Sequence, residues 1–298
     1  MTQNFERAKS RLENISSIEP LLGALRTMSM GTWQMALNKI SKIRDYEENF
    51  DHIIWEILPA IKKSKFNHRK SEEIPTEIAD TIFLIVGTER GLCGKFNEIL
   101  ISNALEWIEN QGKSSFQIWA MGSRLIRKLE QKQINFTWRQ PLPASDLTTY
   151  HQAYITTQKW LDQFEDHDFN QFFVLYNQLK TGGQYQFSTS QLLPFEINDF
   201  YIAQKHVTQK WPPPIIETDP KGIYRRIVEN YVASSFYLIL LRSAAAEHAA
   251  RFNLMEEAKN NADEIIEDLT QVINSERKRK ITQQMQELAA GAGLLDNK

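Results

Sequence analysis

The chain carries a single cysteine, Cys93, in 298 residues. One thiol excludes an internal disulfide framework, a Cys-rich zinc site and a thiol-pair switch. Long hydrophobic runs are missing too: no stretch approaches the ~20 apolar residues that span a bilayer. Neither sign of charge dominates, since 35 Lys+Arg face 37 Asp+Glu for a net −2. That balance argues against a protein built mainly to coat nucleic acid or anionic lipid. The opening MTQNFERAKSR has no apolar core and does not read as a secretory signal. Catalytic signatures are also lacking. His52, His68, His151, His167, His206 and His248 form neither H-E-x-x-H nor a ligand pair on one helix face. No G-x-S-x-G elbow occurs. Asp166-His167-Asp168 reads as a helix-end polar cluster, and Cys93 as a buried small residue. No catalytic residue, metal or cofactor is expected. With 42% apolar residues the chain can bury a core, and a soluble intracellular protein is expected.

What is present is periodicity at both ends. Positions 5, 8, 12, 15, 19, 22, 26, 29, 33, 36, 40, 43, 47, 50, 54, 57 and 61 follow one unbroken 3-4 spacing, and thirteen of the seventeen are apolar. Such a seam predicts a coiled-coil helix. Over residues 4–58 it would run roughly 80 Å. Pro20 is expected to kink or restart it. Glu19, Arg26 and Ser29 break the seam, and Ile18, Leu21, Leu25 and Met28 offer an alternative stripe. At the other end, positions 238, 241, 245, 248, 252, 255, 259, 262, 266, 269 and 273 repeat the spacing, nine of eleven apolar. No Pro or Gly falls between Ile223 and Ala290. Two single-seam helices cannot each bury a stripe alone, so they are expected to pair antiparallel.

The middle alternates. Thr81–Val86 and Phe116–Met121 read as buried strands. Phe96–Asn110, Ser123–Gln133 (capped by Ser123) and Ser145–Phe164 read as helices. Phe172–Gln178 and Gln184–Ser190 flank Thr181-Gly182-Gly183 and read as a hairpin. This order predicts a small Rossmann-like α/β domain, with a parallel sheet and one antiparallel edge. Lys62–Lys70 reads as a solvated basic connector, and Trp211–Pro214 as the exit before the last helix. The expected fold is thus a long antiparallel coiled coil of N- and C-terminal helices plus that α/β domain. Its limits fall at 1–61, 62–74 (basic linker), 75–219 and 220–298.

Gly87–Asn97 follows a strand and opens a helix, where phosphate loops sit. A Walker A loop needs Gly where Glu89 stands and Ser or Thr where Phe96 stands, so the nucleotide reading fails. The glycines instead predict a tight strand-to-helix turn. At this string the chain resembles a known family. Arg90-Gly91-Leu92-Cys93-Gly94-Lys95-Phe96-Asn97 is similar to the R-G-L-C-G-G-[FL]-N signature of gamma subunits of rotary F-type ATP synthases. Ala246–Asn253 and Asn261–Leu269 resemble the family runs SEHAARMNAM and NADEIIEDL. Ile281-Thr282-Gln283 and Glu287–Ala292 resemble its ending, ITQELxEIVAGAAAL. Lys95 departs from the second signature glycine. The stretch Leu21–Thr32 departs from K-I-T-K-A-M-x-M-V-A-A-S-K by losing most basic residues.

The resemblance implies a central rotor shaft: a non-catalytic subunit coupling a membrane ion-driven ring to the F1 ring. Its implied partners are three alpha and three beta subunits, epsilon and the membrane c-ring. No nucleic acid and no direct bilayer insertion are implied. The implied place is peripheral, through the complex, on the cytoplasmic side of a bacterial inner membrane. The implied rotor–stator contacts are Arg251, Arg277, Lys278, Thr282 and Gln284, Lys278 standing for a usual Gln and Gln284 for a usual Glu. The basic run Arg277–Lys280 would meet acidic loops of beta, and the small apolar end Leu288–Leu295 would turn in an apolar collar. The departures fit a divergent paralogue serving as shaft or scaffold in a specialised ATPase-derived machine. An α/β enzyme with helical arms and a non-rotating coiled-coil scaffold are the competing classes.

Overall fold

A computed structural model describes residues 2–63, 81–113, 115–143, 147–180, 183–194 and 220–291. Trp211–Pro214 and most of the Lys62–Lys70 connector lie outside them. Helix α1 spans Thr2–Lys63, and the last helix, α5, spans Pro220–Gly291. Between them come β1 (Thr81–Val86), α2 (Phe96–Asn110), β2 (Phe116–Met121), α3 (Ser123–Gln131), β3 (Trp138–Gln140), α4 (Tyr150–Glu165), β4 (Gln171–Leu179) and β5 (Tyr185–Leu193). By packing the chain divides into Met1–Ser29 with Arg251–Lys298, and Met30–Ala250.

In the first unit the two helices run antiparallel. Glu19 meets Lys259, and Arg26 meets Glu256, so the chain climbs on one helix as it falls on the other. The seam holds one register. Residues 5, 8, 12, 15, 19, 22, 26 and 29 are all buried or half-buried. Of the alternative stripe only Leu25 is half-buried, while Ile18, Leu21 and Met28 are exposed. The polar seam residues stay inside because each finds a partner. Ser29 donates to the Leu25 carbonyl at 2.8 Å, and Glu19 and Arg26 take the ion pairs just named. The expected break at Pro20 does not occur either, and α1 is assigned straight through it. A proline inside a helix forfeits a donor and crowds the preceding turn. Here Pro20 faces solvent while Ile15, Glu19 and Leu22 are held in the seam on both sides of it, and packing outweighs propensity.

The second unit is built on a five-stranded sheet of order β3-β2-β1-β4-β5. The β1 strand pairs parallel with β2 and β4, β2 with β3, and β5 closes one edge antiparallel. All six residues of β1 are buried, as befits a central strand covered on both faces. Alternation sorts its side chains. Ile82, Leu84 and Val86 join Trp160 of α4, Phe236 and Leu240 of α5, and Ile40 and Ile43 of α1. Phe83 and Ile85 face α2 and α3 through Leu100, Ile101, Leu125 and Leu129. Aromatic packing fills the first side: Trp160 stacks on Phe172 and meets Phe236 edge-on, both at 4.7 Å.

Several element limits differ from expectation, among them the end of α3 at Gln131 and the ends of β4 and β5. The third helix starts at Tyr150 rather than Ser145, because Thr149 supplies the cap: its hydroxyl takes the Gln152 N–H, and the Gln152 side chain takes the Thr149 N–H. The short edge strand β3, only three residues long, has no counterpart among the elements read from the sequence. Gly122, not Ser123, is the N-cap of α3.

Ala36 is fully buried, where α1 approaches its neighbours. Ala36→Leu overpacks this contact and is expected to lower unfolding free energy by about 1–3 kcal/mol in urea titrations. Met35→Leu, on the exposed side of the same turn, is expected to stay within roughly 0.5 kcal/mol.

Candidate functional site

Two groups of residues singled out by the sequence acquire distinct geometry. The first is the turn Gly87–Asn97. Asn97, in the first turn of α2, reaches back to β1's end: its Oδ1 accepts the Thr88 N–H at 3.1 Å, and its Nδ2 donates to Thr88 Oγ1 at 2.8 Å. Glu89 ties the turn to α3 and beyond. Its carboxylate accepts the Ser123 N–H (2.8 Å), the Ser123 hydroxyl (2.6 Å) and the Leu142 N–H (2.8 Å). A carboxylate at a helix N-terminus meets unsatisfied donors and the positive dipole end. So the acidic residue that defeats phosphate binding has a structural employment. Thr88 O takes the Arg124 and Leu125 N–H groups at 3.0 and 3.3 Å.

Two glycines are forced by space. A Cβ on Gly87 would lie 2.7 Å from both Asn97 Oδ1 and Leu125 Cβ. Gly122 has φ 108, and its Cβ would fall 2.8 Å from Thr88 O. Gly94 also has positive φ, at 59. Lys95, in contrast, sits at φ −85, ordinary for any residue. A side chain is therefore accommodated where the family signature has glycine. Cys93 is buried, with Sγ 3.9 Å from Thr88 Oγ1, and packs with Phe96 and Ala246. The Phe96 ring lies 4.7 Å from that of Tyr185. Burial, and secondarily Cys93, pushes the Tyr185 hydroxyl above its ordinary pKa. Arg90, Leu92 and Lys95 are exposed, and Gly91 is half-buried.

The second group lies on α5. Its seam positions remain buried or half-buried down to Ile273, but residues 277–288 are all exposed. Arg277, Lys278, Thr282 and Gln284 belong to this uncovered length. Thr282 donates its hydroxyl to the Lys278 carbonyl at 3.0 Å. Arg277 to Lys280 are successive, so at about 100° per residue they point in all directions around the helix. Ile281, Met285 and Leu288 fall at i, i+4 and i+7, hence on one face, and Leu288 is 73% exposed. Arg251 behaves differently. It is only 5% exposed, unlike the other four residues expected as rotor–stator contacts.

Sequence reasoning missed the ionic cross-ties. Lys259 reaches Glu19 at 3.1 Å and Asp263 at 2.9 Å, and the hydrogen bond to Asp263, then that to Glu19, raises its pKa. Arg26 pairs with Glu256 and lies over the Phe252 ring at 6.0 Å. The signal was available: polar residues at seam positions of both helices, at heights that match once the helices are set antiparallel. In the Met30–Ala250 unit, a cavity of about 230 Å³ opens beside Met121, Gln140, Leu142, Gln152, Thr156 and Phe236. Among the described residues, no titratable side chain lines it.

The family described as ATP synthase matches residues 4–295. The chain belongs to the ATP synthase family. Among its curated relatives, the ATP synthase gamma chain of Caldanaerobacter subterraneus subsp. tengcongensis is 26% identical over 95% of this chain and 97% of its own. The gamma chain of Fusobacterium nucleatum subsp. nucleatum is 23% identical over 98% and 99%. The fold is also similar to a chain of the Euglena gracilis mitochondrial ATP synthase OSCP/F1/c-ring structure, with TM-score 0.62 at 12% identity over 100% of this chain and 98% of that one. A chain of the Tetrahymena thermophila central stalk/c-ring structure gives TM-score 0.56 at 19% identity, covering 80% of this chain and 99% of that one.

Asn97→Ala leaves the buried Thr88 N–H unpaired and is expected to cost about 1–3 kcal/mol in urea unfolding. Gly122→Ala, which combines strain and overlap, is expected to cost at least as much. Tyr185 holds its proton above its ordinary pKa, so its contribution is full below about pH 10 and fades as pH rises beyond that. Tyr185→Phe is expected to flatten the loss of stability between pH 10 and 12.

Proposed function

We propose that this chain is the gamma-type central shaft of an F-type rotary ATP synthase. The family match over residues 4–295 carries the reading. The geometry supports it: α5 runs on to Gly291, and its residues 277–288 are all exposed. A helical length exposed on all sides among the described residues suits insertion into a surrounding ring. In this reading the shaft stands inside a ring of three alpha and three beta subunits, and its α/β domain meets epsilon and the membrane c-ring. It transmits torque and performs no ATP chemistry itself. It sits peripherally, through the complex, at the cytoplasmic face of a bacterial inner membrane. Arg277, Lys278, Thr282 and Gln284 are its exposed rotor–stator contacts, with the basic run attracting carboxylates of the beta subunits.

One observation favours a divergent shaft with an adapted or paralogous collar. Between Leu21 and Thr32 the only basic residue is Arg26, and it is engaged by Glu256 of the same chain. The level where the family pattern carries several basic residues thus presents exposed Leu21 and Met28 instead.

Purification of the tagged chain is expected to bring down alpha and beta subunits, while the chain alone turns over no ATP. Its isolation without such a ring would overturn the proposal. Within the complex, Arg277→Ala with Lys278→Ala removes charged contacts shielded from water, at about 1.4 kcal/mol in all. Coupled ATP synthesis is expected to fall roughly tenfold, with the thermal unfolding of the free chain unchanged.

A further inference from the structure

The turn that knits the α/β domain together also displays something outward. Leu92 is 57% exposed and sits at φ 65, a left-handed conformation that non-glycine residues seldom adopt. Its neighbours on the surface are cations. Arg90 and Lys95 are exposed within the same turn, and Arg124 is exposed on α3 with its Nε 3.8 Å from where a Gly91 Cβ would stand. The acidic residue of the turn, Glu89, is turned inward on Ser123 and Leu142 and does not neutralise them. Lys95 and Ile99, also exposed, lie one helical turn apart on the same face.

We propose that Leu92 is an apolar docking knuckle, ringed by Arg90, Lys95 and Arg124, that seats in a socket of a neighbouring protein subunit rimmed by Asp or Glu. This deepens the proposed function and rests on it for the identity of the neighbour as a subunit of the same complex. Three observations converge. The apex side chain is apolar and large, which calls for a pocket rather than a charged surface. Positive charge predominates: Glu98, near Lys95, is itself paired with Lys128 at 2.6 Å, so the excess cations call for carboxylates on the partner. The mount is rigid: Asn97, Glu89 and the crowded Gly87 and Gly122 fix the backbone beneath it, so little conformational freedom is lost on docking. A membrane surface would satisfy the cations but leave a lone leucine at the apex without a shaped contact.

The test places a photo-reactive benzoylphenylalanine at position 92 in the full-length chain, irradiates intact cells, and then purifies the complex. The expected result is one cross-linked protein segment bearing at least two Asp or Glu beside apolar residues. The triple variant Arg90→Glu, Lys95→Glu, Arg124→Glu is expected to cut its yield about tenfold or more. All three side chains are exposed, and circular dichroism of the variant checks that it folds. Leu92→Ala, read by retention of that same segment during salt washing, is expected to weaken docking severalfold. A complex that assembles with alpha and beta while residue 92 reaches no chain, reaches lipid, or cross-links equally in the charge-reversed variant overturns the knuckle and leaves the shaft intact. An acidic, charge-dependent cross-link in a chain that never meets alpha and beta supports the knuckle and overturns the shaft.

Discussion

A helix with one narrow apolar stripe can bury it only against another such stripe, and this constraint governs the ends of the chain. The 3-4 spacing on α1 and α5 leaves each helix about a seam wide in apolar surface, too little to stand alone in water. Where the seam letters are polar, the partner helix answers them. Glu19 meets Lys259 and Arg26 meets Glu256 and Phe252. Arg26 and Glu256 are each more than a third exposed, so such pairs are worth about 0–1 kcal/mol each. Their consequence is alignment rather than strength. Sliding one helix by a turn would leave carboxylates and cations facing apolar seam positions, and polar seam residues are the established means of fixing register. Ala8, Ser29, Ala245 and Ala249 are all buried within their own units.

Much of this was legible from letters alone. The strands Thr81–Val86 and Phe116–Met121 and the helix Phe96–Asn110 are found where the sequence places them. They are short, strongly patterned and bounded by glycine or turn residues. The seam was legible as well, because a repeat sustained over many turns averages out individual exceptions. What failed was local rules read without tertiary context. Pro20 is a helix breaker in isolation, but it occupies the solvent face of a helix pinned on both sides. Ile18, Leu21 and Met28 are apolar, yet apolar letters do not ensure burial when the seam's own polar members can pair. β3 has too few residues for any period to be counted.

The candidate site divides in the same way. Resemblance supplied the letters of the signature turn and of the contacts on α5, but letters say nothing of depth. Arg251 and Arg277 match family positions equally well, yet one is buried and the other exposed. Glu89 shows the converse. Its charge was read correctly as hostile to phosphate, while its attachment to Ser123 and Leu142 across 34 and 53 residues could not be read from any local window. The signature turn is explained largely by packing: Gly87 and Gly122 by close approach, Asn97 by the Thr88 donor it satisfies. Leu92 is the member that packing does not explain.

A shaft must carry two kinds of information, its position along an axis and its angle about it. The uncovered length of α5 separates them chemically. Arg277 to Lys280 surround the helix, so in the proposed role their attraction to a ring of carboxylates would change little with rotation. They suit retention at one height. Ile281, Met285 and Leu288 occupy one face, so contact with an apolar collar changes with every angle. Apolar contact is short-ranged, being confined to atoms within about 4–4.5 Å, whereas charge attraction extends over a Debye length of about 8 Å at physiological salt. The long-range interaction is therefore nearly isotropic and the short-range one is directional. In the proposed role, angle is encoded by the three apolar side chains, and the cations hold them at the level where that angle is felt.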